Sequence, residues 1–130
     1  MIKQQFDVEK YWRVVVLYNW DYNFLYEAVV ELHQAGFPQE YVFEVLYTMY
    51  FEPVKAVTCS NTAETISVVI FNCHKDSGDY LSSIVHEAEH IKQAMLYAYK
   101  VEDTGEPPAY TMGYLVRQMW KVFRFMLCVL

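Results

Sequence analysis

The sequence predicts an α+β fold in a single domain that covers residues 1–130. The chain is 55% hydrophobic and 20% charged, which is the composition of a globular domain, and it is too short to divide into two stable cores. Short β-branched and aromatic runs alternate with longer segments whose apolar residues recur at helical spacing. The predicted order is a strand, two helices, a hairpin and two further helices. This order indicates a small antiparallel sheet backed by helices.

The first half of the chain contains one predicted strand and two predicted helices. The run YWRVVVLY, residues 11–18, has the aromatic and β-branched residues that favour a strand. Asp21 is suited to cap the helix that follows it. Gly36 is expected in the left-handed conformation that ends this helix, and Pro38 opens a second one. Pro53 sets the limit of that second helix.

The second half begins with a predicted hairpin made of VKAVTCS, residues 54–60, and TISVVIFN, residues 65–72. A long helix is expected from an N-cap at Asp79 to about Tyr99. Helical spacing assigns its apolar face to Leu81, Ile84, Val85, Ala88, Ile91, Met95 and Ala98.

The last predicted helix opens at Pro107 or Pro108 and continues to the chain end. Its basic residues, Arg117, Lys121 and Arg124, recur at helical spacing against an apolar side. A solvated face over a core-packed helix explains this pattern, and a basic surface for a membrane or partner is the alternative. Residues 123–130 are very apolar for a chain end, which indicates a homodimer contact or a partner groove.

Charge and composition exclude several classes of protein. The net charge of −6 and the isoelectric point near 5.1 argue against nucleic-acid binding, which requires a basic surface. No apolar run has the length of a membrane span, and the N-terminal residues do not resemble a signal peptide. The three cysteines, Cys59, Cys73 and Cys128, are odd in number and show no paired spacing. We therefore expect reduced thiols and a cytoplasmic location.

The sequence HEAEH, residues 86–90, is the strongest chemical signal. On a helix, residues i and i+4 lie about 5–6 Å apart at Cβ, so the two imidazoles can bind one tetrahedral zinc ion. Glu87 is rotated by about 100° from His86, where it can reach a water molecule on the metal and act as the catalytic base. The alternative is a solvated polar stripe with no ligand.

Catalytic zinc usually has three protein ligands, so two histidines leave one ligand to be found. The candidates after His90 are the carboxylates of Glu102, Asp103 and Glu106. Glu106 is preferred because it begins the last helix, where the chain turns back towards the preceding one. Glu102 and Asp103 lie in the predicted loop, where a solvated role is the default.

HEAEH followed by GEPPAYTMGYL, residues 105–115, resembles the gluzincin group of zinc metallopeptidases. In particular it is similar to short metallopeptidase-like proteins of phages and mobile elements. The resemblance covers about residues 79–115 and implies a minimal zincin-like domain. It assigns His86, His90 and Glu106 as zinc ligands and Glu87 as the base. Glu89 inside the motif and the double proline after Glu106 depart from the pattern.

The expected activity is zinc-dependent hydrolysis, most simply of a peptide or protein substrate. Zinc activates water near neutral pH, and Glu87 moves the proton. Tyr110 or Tyr114 is suited to stabilise the transition state, although packing explains either tyrosine as well. Residues 65–72 are expected to pair with an extended peptide. The alternative function is a non-enzymatic structural or interaction protein of a phage or mobile element, with or without a metal.

Overall fold

A computed structural model describes the backbone of residues 1–129 and the side chains of residues 1–127. It confirms the α+β class, with a four-stranded sheet in the order β1-β2-β4-β3 and four α-helices. In chain order the elements are β1 Ile2–Val8, β2 Trp12–Trp20, α1 Leu25–Gln34, α2 Gln39–Phe51, β3 Ala56–Asn61, β4 Ile66–Asn72, α3 Ser77–Tyr99 and α4 Glu106–Val129. A short 3-10 turn, Tyr22–Phe24, precedes α1.

The strand β1 was not predicted from the sequence. It pairs antiparallel with β2, from Ile2 opposite Tyr18 to Val8 opposite Trp12. Its residues alternate between partly buried and exposed positions, as expected for a strand at the edge of a sheet. The sequence IKQQFDV did not indicate a strand because it contains several polar residues and few β-branched ones.

The sheet is mixed, which corrects the prediction of an antiparallel sheet. The predicted hairpin is confirmed, because β3 and β4 pair antiparallel. However, β4 lies beside β2 and runs parallel to it. The reason is the connection between them: the chain leaves β2, passes through both helices and β3, and returns into the sheet in the direction of β2. A crossover of this kind is what parallel neighbours require.

Helices cover both faces of the sheet, and each face has its own core. Val14 and Val16 of β2 point towards α3 and α4, whereas Val15 and Leu17 point towards α1 and α2. Both faces of β2 are therefore buried, which explains why its sequence is almost continuously apolar. An irregularity after Leu17, with Asn19 at a φ of 56°, breaks the alternation near the end of the strand.

Several helix boundaries agree with the sequence. Gly36 has a φ of 90° directly after the end of α1, and an added Cβ would lie 2.9 Å from the Nδ2 atom of Asn61. Pro38 is the N-cap of α2, and Asp21 caps the short turn before α1. The N-cap of α3 is Asp76 rather than Asp79, because the Asp76 side chain accepts the Asp79 backbone N–H.

The buried face of α3 is rotated from the predicted one. Leu81 and Val85 are exposed, whereas Tyr80 and Glu87 are buried. The buried positions are Tyr80, Ser83, Ile84, Glu87, Ala88, Ile91, Lys92 and Met95. The rotation arises because α3 packs against both α4 and the edge strand β3. Hydropathy alone does not predict that a polar residue such as Glu87 is buried against a strand.

Helix α4 packs beside α3 and over β1. Of the apolar side predicted for it, Leu115, Met119, Phe123 and Met126 are buried, whereas Trp120 and Leu127 are exposed, as are the basic residues Arg117, Lys121 and Arg124. It begins at Glu106, one residue before Pro107. None of the helices in the described part of the chain has the length and hydropathy needed to cross a bilayer.

Cys59 is buried and Cys73 is exposed, and both are free thiols. The prediction for Cys128 lies outside the described side chains.

Candidate metal centre

Two exposed histidines of α3 face each other one turn apart. The Nε2 atoms of His86 and His90 are 3.2 Å apart, and the two rings meet nearly at right angles. Between neutral imidazoles this contact is a hydrogen bond in which one ring N–H donates to the lone pair of the other. If the donating ring carried its proton on Nδ1 instead, both Nε2 atoms would have a free lone pair, and a zinc ion would be able to bind both.

The separation of these two nitrogens fits a shared metal ion. Tetrahedral zinc with Zn–N bonds of about 2.0–2.1 Å places its ligand nitrogens about 3.3–3.4 Å apart. The observed 3.2 Å between His86 and His90 is close to that value. The distance between the two imidazoles is therefore compatible with one shared zinc ion.

Glu87 lies beside this pair but is held differently. Its side chain is only 4% exposed, and the Thr58 hydroxyl of β3 donates to its Oε1 atom at 3.3 Å. One carboxylate oxygen lies within 4.8 Å of the ligand nitrogens of both His86 and His90. Burial raises the pKa of the Glu87 carboxyl, opposed by the two neighbouring imidazoles and the Thr58 hydrogen bond. A buried carboxyl with a raised pKa is the type of group that acts as a general base.

A cleft of about 330 Å³ opens directly beside Glu87 and His86. Its walls come from the start of β3 and from the first half of α3. Lys55 and Asp79 form an ion pair of 3.2 Å there. The cleft is lined by Val54, Lys55, Ala56, Asp79, Ser82, Ser83, His86 and Glu87.

Glu106 is not brought to the two imidazoles. Among the described residues, the cluster of metal-ligating groups around His86 consists of His86, Glu87 and His90. Glu106 is exposed at the start of α4, and this start lies beside the end of α3 because only six residues join the helices. From His90 to Tyr99 the helix advances by nine residues, about 13 Å. The third-ligand prediction assumed a closer approach than this hairpin of helices allows.

The two loop carboxylates considered as alternatives have different roles. The Asp103 carboxylate accepts hydrogen bonds from Lys92 at 3.1 Å and from Gln93 at 2.8 Å. Glu89, inside the motif, binds the same two side chains. Glu102 is exposed in the loop. The contacts of Asp103 tie the loop to α3.

Tyr110 and Tyr114 also lie away from the histidine pair. The Tyr114 hydroxyl donates to the backbone carbonyl of Asp7 at 2.9 Å, and Tyr110 is 73% exposed. Both line a separate groove between α4 and the end of β1. Because β4 and β2 separate β3 from β1, this groove is about 14 Å or more from Thr58 across the sheet. Neither tyrosine is positioned to stabilise a transition state at the histidines.

His74, in the loop before α3, makes contacts across the fold that its sequence position alone does not predict. Its Nδ1 atom is 2.7 Å from the Asn72 carbonyl, and its Nε2 atom is 2.8 Å from the Ser83 hydroxyl. Since a carbonyl only accepts, Nδ1 carries the proton and Nε2 accepts from Ser83. The ring also lies against Tyr80, with 4.3 Å between centroids. The contact with Ser83 holds the loop before α3 against the wall of the cleft.

The hydrogen bonds of the His74 imidazole predict that the stability of the protein depends on pH. Burial lowers the pKa of the His74 imidazole from its ordinary value of 6.5, opposed by the hydrogen bond to the Asn72 carbonyl and by Asp79 and Asp76, while the Lys55 ammonium also lowers it. The unfolded chain therefore binds a proton more readily, and stability contributed by neutral His74 is lost as pH falls below about 6.5. Urea denaturation of His74→Gln should show a smaller loss of stability between neutral and mildly acidic pH than the wild type. Equal pH dependence in the two proteins would contradict this role, and the exposed His33→Gln serves as control.

Comparisons with protein-family models, with curated proteins and with solved structures find no match to this chain. The resemblance to gluzincins therefore rests on the residues of the motif alone.

Proposed function

We propose that the protein is a zinc-dependent hydrolase, most simply a metallopeptidase, with its centre at His86, Glu87 and His90. The observation that carries the proposal is the 3.2 Å separation of the two Nε2 atoms together with a buried carboxylate beside them. His86 and His90 would hold the metal. Bound zinc would supply Lewis acidity towards a carbonyl group and activate water.

Glu87 performs the proton transfer in this proposal. It accepts a proton from the attacking water as the water oxygen bonds to the carbonyl carbon. It then gives that proton to the leaving amine as the C–N bond breaks. The hydrogen bond from Thr58 holds the carboxylate towards β3 and fixes its direction. Because burial raises the pKa of Glu87, the carboxylate is a stronger proton acceptor than an exposed glutamate.

The strand β3 is the proposed site for an extended peptide. The sequence assigned this role to residues 65–72, but β4 is paired on both sides, with β2 and with β3. In the sheet order β3 is one of the two edge strands, so one side of its backbone is available for pairing. Thr58 lies on this strand and contacts Glu87, which supports a peptide site on β3 close to the proposed base.

A second function has one observation in its favour. The position of Glu106 leaves only two imidazoles and Glu87 in the cluster, whereas catalytic zinc usually has three protein ligands. A non-enzymatic interaction protein that binds a metal through His86, Glu87 and His90 accounts for this arrangement.

Metal analysis of the purified protein tests the centre. We expect about one zinc per chain, which falls sharply in His86→Ala and in His90→Ala, because each substitution removes one of two adjacent ligands. Glu106→Ala should retain the metal, since Glu106 lies outside the cluster. The matched control is His33→Ala, an exposed histidine of α1. Zinc content that is unchanged in both cluster variants would exclude the centre.

A further inference from the structure

The exposed side of α2 is acidic and aromatic. Glu40, Phe43, Glu44, Tyr47 and Phe51, the acidic aromatic face, are spaced at i, i+3, i+4, i+7 and i+11, which places them on one side of the helix. The three aromatic side chains are 58%, 62% and 65% exposed. A row of large exposed apolar groups is a mark of an interaction surface.

These aromatic rings form a continuous surface with their neighbours. The ring centroids of Tyr47 and Phe51 are 4.5 Å apart, and those of Phe51 and Tyr50 are 4.6 Å apart. Tyr50 in turn contacts Tyr22 of the turn before α1, at 4.7 Å. The surface therefore extends beyond a single helix.

The charged residues of α1 and α2 are all acidic. Residues 14–54 contain six acidic residues and no lysine or arginine. Within the described residues, neither Glu40 nor Glu44 takes part in an ion pair. A partner for this surface must therefore bring its own positive charge.

The exposed side of α4 has the complementary character. Arg117, Trp120, Lys121 and Arg124, the basic face, repeat the spacing i, i+3, i+4 and i+7 and are all exposed. Residues 107–130 contain three basic residues and no acidic one. Among the ion pairs of the described residues, none includes Arg117, Lys121 or Arg124.

We propose that the protein associates with itself, the basic face of one copy docking on the acidic aromatic face of the next. The matching spacing lets the cations of α4 meet Glu40 and Glu44, and Trp120 lie among the aromatic rings. Guanidinium and ammonium groups also bind the faces of Tyr and Phe rings. Opposite charge orients the two copies and excludes contact between like faces.

The two faces cannot meet within one chain. Helix α2 packs in the core on one side of the sheet, and α4 packs in the core on the other side. Their exposed sides therefore point in opposite directions. A contact between two different surfaces of this kind is heterologous, and it continues into a ring or an open row of copies rather than stopping at a symmetric dimer.

Sedimentation velocity over a range of protein concentrations tests the association. At low salt the average mass of the full chain should rise with concentration, and about 1 M salt should return it to the monomer. Glu40→Lys with Glu44→Lys should weaken the association by about 10-fold or more, and so should Lys121→Glu with Arg124→Glu. The protein that carries all four substitutions should associate again, because the charges are then exchanged. Lys75→Glu with Glu102→Lys, exposed in loops, is the control.

Three results would overturn the proposal. One is a monomer at every concentration in low salt. Another is association that responds to the α2 substitutions but not to those of α4, which would indicate contact between like faces. The third is a four-substitution protein that stays monomeric while circular dichroism shows it to be folded.

Discussion

Glu87→Gln is expected to lower peptide hydrolysis by about 10²–10⁴-fold, the usual contribution of a general base. Gln keeps the size of the side chain and can still accept the Thr58 hydrogen bond, but it cannot take a proton from water. Zinc content should remain that of the wild type, because His86 and His90 are unchanged. Stability at neutral pH should not fall, since burial already disfavours the ionised form of Glu87. Cleavage of a peptide library, metal analysis and thermal unfolding measure the three quantities.

Glu89→Gln is the matched control for this variant. It changes the neighbouring glutamate of the same motif, which binds Lys92 and Gln93 rather than facing β3. Its activity should stay near that of the wild type. Cleavage that survives Glu87→Gln would contradict the role of Glu87 as base. Loss of zinc from Glu87→Gln would make Glu87 a ligand, and a zinc-loaded wild type that cleaves no peptide would favour the interaction protein.

Ile84→Ala is expected to lower the free energy of unfolding by about 2–5 kcal/mol, because it leaves a cavity in a packed core. The Ile84 side chain is fully buried between the sheet and α4. Val85→Ala, one position along the same helix, should change the free energy by less than about 0.5 kcal/mol, because Val85 is 42% exposed. Urea denaturation of both variants compares the two positions directly.

The sequence predicted that Ile84 and Val85 lie on one apolar face of α3. Comparing the two variants therefore tests the predicted face against the observed one. Equal and large losses of stability in Ile84→Ala and Val85→Ala would favour the predicted face. A large loss at Ile84 alone would agree with a helix that turns Glu87 and Ser83 towards β3.

Local signals in the sequence were sufficient for most of the fold. Gly36, Pro38 and Asp21 act at the boundaries where their backbone chemistry places them, because caps and turns depend on a few adjacent residues. The hairpin of β3 and β4 and the core side of α4 follow from periodicity in the same way. The spacing of His86 and His90 alone was enough to place their rings together, since four residues make about one helical turn.

Contacts between distant segments determined the rest. No local pattern predicts that β4 lies beside β2 and runs parallel to it. This pairing depends on the crossover connection and on the burial of both faces of the sheet. The same topology puts α4 over β1 and α3 against β3, which keeps Glu106, Tyr110 and Tyr114 away from the histidines. The burial of Glu87 against Thr58 also depends on it. The helical repeat thus determined the histidine pair by itself, whereas only the packing of α3 on an edge strand decided which other groups surround it.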